Sequence, residues 1–149
     1  MPRIGELAIS SPDIRPLARI PDHHTGRGAD RPPRLEITGV PEGTVELTVI
    51  MHDPDAPSPH GFTHWVVHGL APAARVEVTP DAERPGPNST GRPGWVGPYP
   101  PAGHGVHHYY FWAYALSRPV EGAPSREEFL DRYADAVIEQ ARFVATYSS

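Results

Sequence analysis

Gly94-Trp95-Val96-Gly97-Pro98-Tyr99-Pro100-Pro101-Ala102-Gly103-His104-Gly105-Val106-His107-His108-Tyr109-Tyr110-Phe111 carries a loop of glycine and proline straight into a strand of aromatics, with histidines at the junction. Each proline removes a backbone donor and fixes φ, so the loop is bent yet stiff. Each glycine leaves its amide unshielded by a side chain. The stretch predicts a preformed cup with bare N–H groups on its wall and His107 and Tyr109 at its lip. Such a cup suits a small anion. Downstream, Tyr109 to Leu116 has aromatics on both faces, the pattern of a central strand buried between two layers. Upstream, the loop from Thr79 to Gly94 feeds into the cup, and long ordered loops usually build a site.

The best candidate to face the cup is Asp53-Pro54-Asp55-Ala56-Pro57 together with His64. Val45 to His52 reads as a strand, with Val45, Leu47, Val49 and Met51 on one side and Glu46, Thr48, Ile50 and His52 on the other. It delivers the chain to Asp53 at a rim. A lone Asp-Pro-Asp is ordinarily a turn in which each carboxylate caps a nearby amide. Here a second strand, Gly61 to His68, follows within about ten residues, with Thr63, Trp65 and Val67 on one face and His64, Val66 and His68 on the other. His60, His64 and His68 recur by four, which on a helix would suggest a metal site. The β-branched and aromatic content indicates a strand instead, on which His64 and His68 stand about 13–14 Å apart. Zinc–nitrogen bonds are about 2 Å long, so those two cannot chelate one ion. No metal, no cofactor and no catalytic residue is expected.

The remaining elements are shorter. Leu7-Ala8-Ile9 and Leu35-Glu36-Ile37 read as short strands, Ile14 to Ile20 as a segment along a sheet edge, and Arg75 to Val78 as another short strand. His23 and His24 read as solvent-exposed loop histidines. Asn88-Ser89-Thr90 matches a glycosylation sequon by chance. Ser125-Arg126-Glu127-Glu128 is a capping box. Phe129, Leu130, Tyr133, Ala134, Val137, Ile138 and Ala141 then recur at helical spacing, which predicts a C-terminal helix over 126 to 144 packed on the sheet.

The chain has 149 residues, which suits one domain, 1–149, with enough buried surface for a core. Its 20 prolines and 14 glycines fall between runs of strand alternation, so they punctuate an ordered, mostly β domain. Cysteine is absent, which excludes disulfides and thiolate metal sites. The net charge is -5 and the basic residues are scattered arginines, which argues against nucleic acid or an anionic membrane as partner. Met1 to Ser11 holds no apolar run fit for a signal peptide, and no stretch reaches membrane-spanning length. The expected location is cytoplasmic.

The Asp53–Pro57 and His64-Trp65 segment, with the run from Gly97 to Tyr109, resembles the phosphatidylethanolamine-binding protein family, in particular its bacterial Raf-kinase-inhibitor-like branch. The family pattern is Asp-Pro-Asp-Ala-Pro before a His-Trp strand, then Gly-Pro-x-Pro-Pro-x-Gly-x-Gly-x-His-Arg-Tyr before an aromatic strand. His108 stands where the family commonly has arginine, on the side of the strand away from His107 and Tyr109. The resemblance implies a central antiparallel sheet packed on a smaller sheet, with a C-terminal helix, and an anion pocket at one end of the sheet. Carried over by position, that pocket contains Asp53, Asp55, Pro57, His64, Tyr99, Pro100, His107 and Tyr109. It also implies a cis Ala56–Pro57 bond and a homodimer.

The function expected is non-catalytic binding of a small phosphorylated or carboxylated ligand, such as a phosphoethanolamine-like head group. The donors would be cup amides, His64, His107 and the Tyr109 hydroxyl, with Asp53 or Asp55 accepting from the far nitrogen of a histidine. If histidine charge matters, affinity should fall as pH rises from about 5.5 to 8. A hydrolase using Asp/His acid–base chemistry on a small ester and a module that docks a partner at the pocket rim are the alternatives; no nucleophile-elbow pattern is present for the former.

Overall fold

The computed structural model describes residues 5–79 and 84–148. In chain order the strands are β1 (Ala8–Ser10), β2 (Leu35–Thr38), β3 (Glu46–Asp53), β4 (Phe62–Leu70), β5 (Arg75–Val78), β6 (Arg84–Pro85), β7 (His107–Leu116) and β8 (Val137–Tyr147). Helix α1 (Arg126–Tyr133) lies between β7 and β8. Strands β1-β2-β5 form a small sheet and β6-β4-β3-β7-β8 a large one, and every strand pair is antiparallel. The fold is mostly β, as the sequence predicts.

Alternation explains the layers. Leu47, Val49 and Met51 of β3 join Trp65, Val67, Tyr109, Phe111 and Phe143 in a core shared with Ile9, Leu35, Ile37, Val76 and Val78 of the small sheet. On the opposite face of the large sheet, Ile50, Val66, Tyr114 and Leu116 pack against Phe129 and Tyr133 of α1. The polar residues of β3 on that face are partnered: Thr48 lies 3.1 Å from His68 Nδ1, and His52 Nδ1 lies 2.9 Å from the Thr63 hydroxyl. Ile14 to Ile20 does run along an edge, with Leu17, Ala18 and Ile20 bonding the Val144–Thr146 stretch of β8.

Three expectations are corrected. The predicted helix over 126 to 144 ends at Tyr133, and after a 3-10 turn at Ala134–Ala136 the chain becomes β8. Ala134, Val137, Ile138 and Ala141 mimic a helical stripe, but Glu139, Phe143, Ala145 and Tyr147 are buried at alternate positions and pair with β7. The Ala56–Pro57 bond is trans, as are all peptide bonds among the described residues. Its turn is held by the Asp55 N–H donating to Asp53 Oδ1 at 2.8 Å. His23 is exposed as expected, but His24 is buried, because a 3-10 turn at Asp22–His24 carries its ring inward to donate to the Arg31 carbonyl at 2.8 Å.

Candidate ligand-binding pocket

The C-terminal end of β3, the start of β4 and the start of β7 meet at one end of the large sheet, where the 96–101 loop closes over them. Between them lies a cavity of about 210 Å³. Its lining includes Asp53, Pro57, His64, Tyr99, Pro100, His107 and Tyr109, seven of the eight residues expected, together with apolar walls from Ala56, Phe62, Val96 and Pro101.

A bulge delivers His64. Register along β3 and β4 runs Ile50–Val66 and Met51–Trp65, then skips to His52–Thr63, leaving His64 unpaired. The two residues at such a bulge send their side chains to the same side. His64 therefore shares the Trp65 side and meets Tyr109, ring centroids 5.3 Å apart, while Val66 packs under the helix and His68 lies against Phe129. This corrects the strict alternation expected for β4, which put His64, Val66 and His68 together.

His64 Nδ1 donates to the Val96 carbonyl at 2.6 Å, and Val96 N–H donates back to the His64 carbonyl at 3.0 Å. Burial pushes this ring down to about 4, so it is neutral at ordinary pH. Its Nε2 is thus a lone pair rather than the donor expected, and its charge does not change between about pH 5.5 and 8. Next door, Trp95 packs edge-on against Trp65, centroids 5.4 Å apart, and its indole N–H donates to Asp30 at 3.1 Å.

Asp53, only 2% exposed, accepts from His107 Nδ1 at 2.5 Å through Oδ2. Burial pushes its carboxyl up, and the His107 bond opposes that rise. His107 Nε2 lies 3.0 Å from His104 Nδ1, which extends the chain of polar groups to the loop. Tyr109 brings a hydroxyl that burial and the nearby Asp53 hold protonated, the pKa being pushed up. Tyr99 stands 65% exposed at the mouth, with the Arg27 guanidinium 4.6 Å over its ring and donating to the Pro100 carbonyl at 2.8 Å.

Asp55 is the expected residue that does not line the cavity. Its Oδ2 accepts from both the backbone N–H and Nδ1 of His108, each at 2.8 Å, on the outer side of β7. Burial pushes the Asp55 carboxyl up, but the His108 bonds together outweigh it and the net direction is down. The wall also offers fewer amides than expected: Val96 and His104 N–H are spent within the protein and Pro98, Pro100 and Pro101 have none. Phe62, in the lining, and His104, on His107, join the site beyond the residues expected. Phe62 lies just before a bulge that alternation does not reveal, whereas His104 stood visible inside the glycine motif.

A family model described as phosphatidylethanolamine-binding protein matches residues 10–148. The UPF0098 protein Rv1910c of Mycobacterium tuberculosis is 39% identical over 148 residues, which cover 95% of this chain and 70% of that protein. Among solved structures, CT736 of Chlamydia trachomatis, described as a homologue of the same family, superposes with a TM-score of 0.87 at 27% identity over 96% of this chain and 97% of its own. YbcL of E. coli, described as a new member of the mammalian family, gives a TM-score of 0.86 at 29% identity, with 97% and 99% covered.

Proposed function

Because the chain belongs to the phosphatidylethanolamine-binding protein family, we propose that its pocket binds a small phosphorylated or carboxylated ligand, of the phosphoethanolamine head-group class, without turning it over. One observation carries this reading: Asp53, His64, His107 and Tyr109 converge on a single recess whose other walls are apolar. A few placed polar groups in an apolar recess fix orientation, while the walls exclude water. The Tyr109 hydroxyl makes no hydrogen bond within the described residues, so it is available to a ligand. Titration calorimetry with phosphoethanolamine tests the reading. Tyr109→Phe is expected to weaken binding about tenfold and leave the melting temperature unchanged. Loss of stability with intact affinity would mean that the hydroxyl only holds the loops.

The chain of contacts from Asp53 through His107 to His104 favours a second reading, acid–base chemistry on a small ester. Among the described residues, the lining includes no serine, threonine or cysteine. Aryl phosphates and aryl esters are therefore expected to show no turnover above buffer. A cytoplasmic location and a homodimer complete the proposal; cell fractionation and sedimentation velocity check them. Among the described residues, no helix is long and apolar enough to cross a membrane.

A further inference from the structure

Resting on that reading of the pocket, we propose that His64 reads a proton on the ligand, so that the site takes a phosphate monoester in its singly charged, hydrogen-phosphate form and passes over the dianion, the diester and the sulfate. A backbone carbonyl can only accept, so the contact from His64 Nδ1 to the Val96 oxygen fixes the ring's proton on Nδ1. The return bond from Val96 N–H locks ring and loop in mutual register. Nε2 then has no partner among the described residues and belongs to a ring that lines the cavity. Set against a fully ionised oxyanion, it would place lone pair against lone pair. Set against P–O–H, it accepts a hydrogen bond.

The charges around the ring point the same way. From β3 it is faced by the Asp53 carboxyl, while His52, held neutral by burial with its pKa lowered to about 4, lies on the other face of that strand against Thr63. From β7 it is faced by Tyr109 and by His107, with His104 beyond. Arg27 reaches the mouth over Tyr99 but does not line the cavity. Among the described residues no arginine lines the recess, and Asp53 Oδ2 is already held by His107 Nδ1, so a second negative charge on the ligand meets no guanidinium there. Tyr109 can donate to an ionised oxygen while His64 accepts from the protonated one, a pairing that the hydrogen-phosphate form alone completes.

Two probes of similar shape test this by calorimetry. Phenyl phosphate loses its second proton near a pKa of about 6. Phenyl sulfate carries one charge and no proton throughout. Phenyl phosphate is expected to bind about tenfold tighter at pH 5 than at pH 7.5, and about tenfold tighter than phenyl sulfate at pH 5. Sulfate affinity should change less than about threefold between the two conditions. Equal binding of the two probes at pH 5, or a parallel tightening of the sulfate on acidification, overturns proton reading and leaves the binding pocket standing. Binding of neither probe at either pH overturns the pocket itself. In His64→Gln, whose amide can turn either its N–H or its oxygen to the ligand, the preference for phosphate should shrink to about threefold or less; a preference kept at tenfold overturns the proposal. Nitrogen-15 spectra of the wild-type imidazoles give a readout without ligand: an Nδ1–H tautomer at His64 supports the proposal, and an Nε2–H tautomer overturns it.

Discussion

Asp53 sits at the crossing of two demands. One oxygen accepts the Asp55 N–H that shapes the turn, and the other holds His107. Asp53→Ala would strand the buried His107 donor and release the Asp55 N–H of the turn, so it is expected to cost about 2–4 kcal/mol, read from urea unfolding. Asp53→Asn keeps an acceptor of the same shape and should lose less than half of that. The identity of these residues was legible in sequence, because Asp53, His64, His107 and Tyr109 sit in two motifs whose loops and strands must meet. Their proton assignments were not. Whether a histidine presents N–H or a lone pair depends on which neighbour takes its other nitrogen, and the Val96 carbonyl lies 32 residues from His64. Asp55 was misplaced for a related reason, since its partner is His108, the position where this chain departs from the family pattern.

Among the elements, strands with one buried face were readable and a broken alternation was not. The bulge at His64 adds one residue to one strand only, and nothing in the spacing of Gly61 to His68 announces it. Helix α1 shows how a local signal and a packing signal part company. Its capping box is complete, with Ser125 accepting from the Glu128 N–H and Glu128 accepting from the Ser125 N–H. That start was legible, but where the helix stops is decided by pairing of β8 with β7, which is not local. Packing also outweighs capping in magnitude. Ser125→Ala is expected to cost about 1 kcal/mol. Phe129→Ala, which empties a fully buried site beneath the large sheet, should cost about 3–5 kcal/mol, and thermal unfolding of the two variants checks the order.

At the scale of the whole molecule, the two-sheet architecture buries several imidazoles and so ties stability to pH. Burial lowers His52 and His64 to about 4 and also lowers His68. A histidine held below its unfolded value leaves the unfolded chain with more bound protons, so its contribution is complete above about pH 6.5 and is lost as pH falls toward 4. Asp53, raised by burial, acts in the opposite sense, adding stability at low pH that fades as pH rises through its folded value. The three lowered histidines outweigh one carboxylate. The melting temperature is expected to hold steady from pH 8 to 7 and to fall by about ten degrees by pH 4.5, measured by calorimetry. The paired hydrogen bonds between His64 and Val96 have a practical corollary. Because Trp95 is the residue next to Val96 and rests on Trp65, occupancy of the recess should alter the environment of an indole. Intrinsic fluorescence is then a label-free gauge of ligand uptake, with the emission maximum shifting on titration, and Trp112, which faces the helix side of the sheet, serving as an unresponsive internal standard.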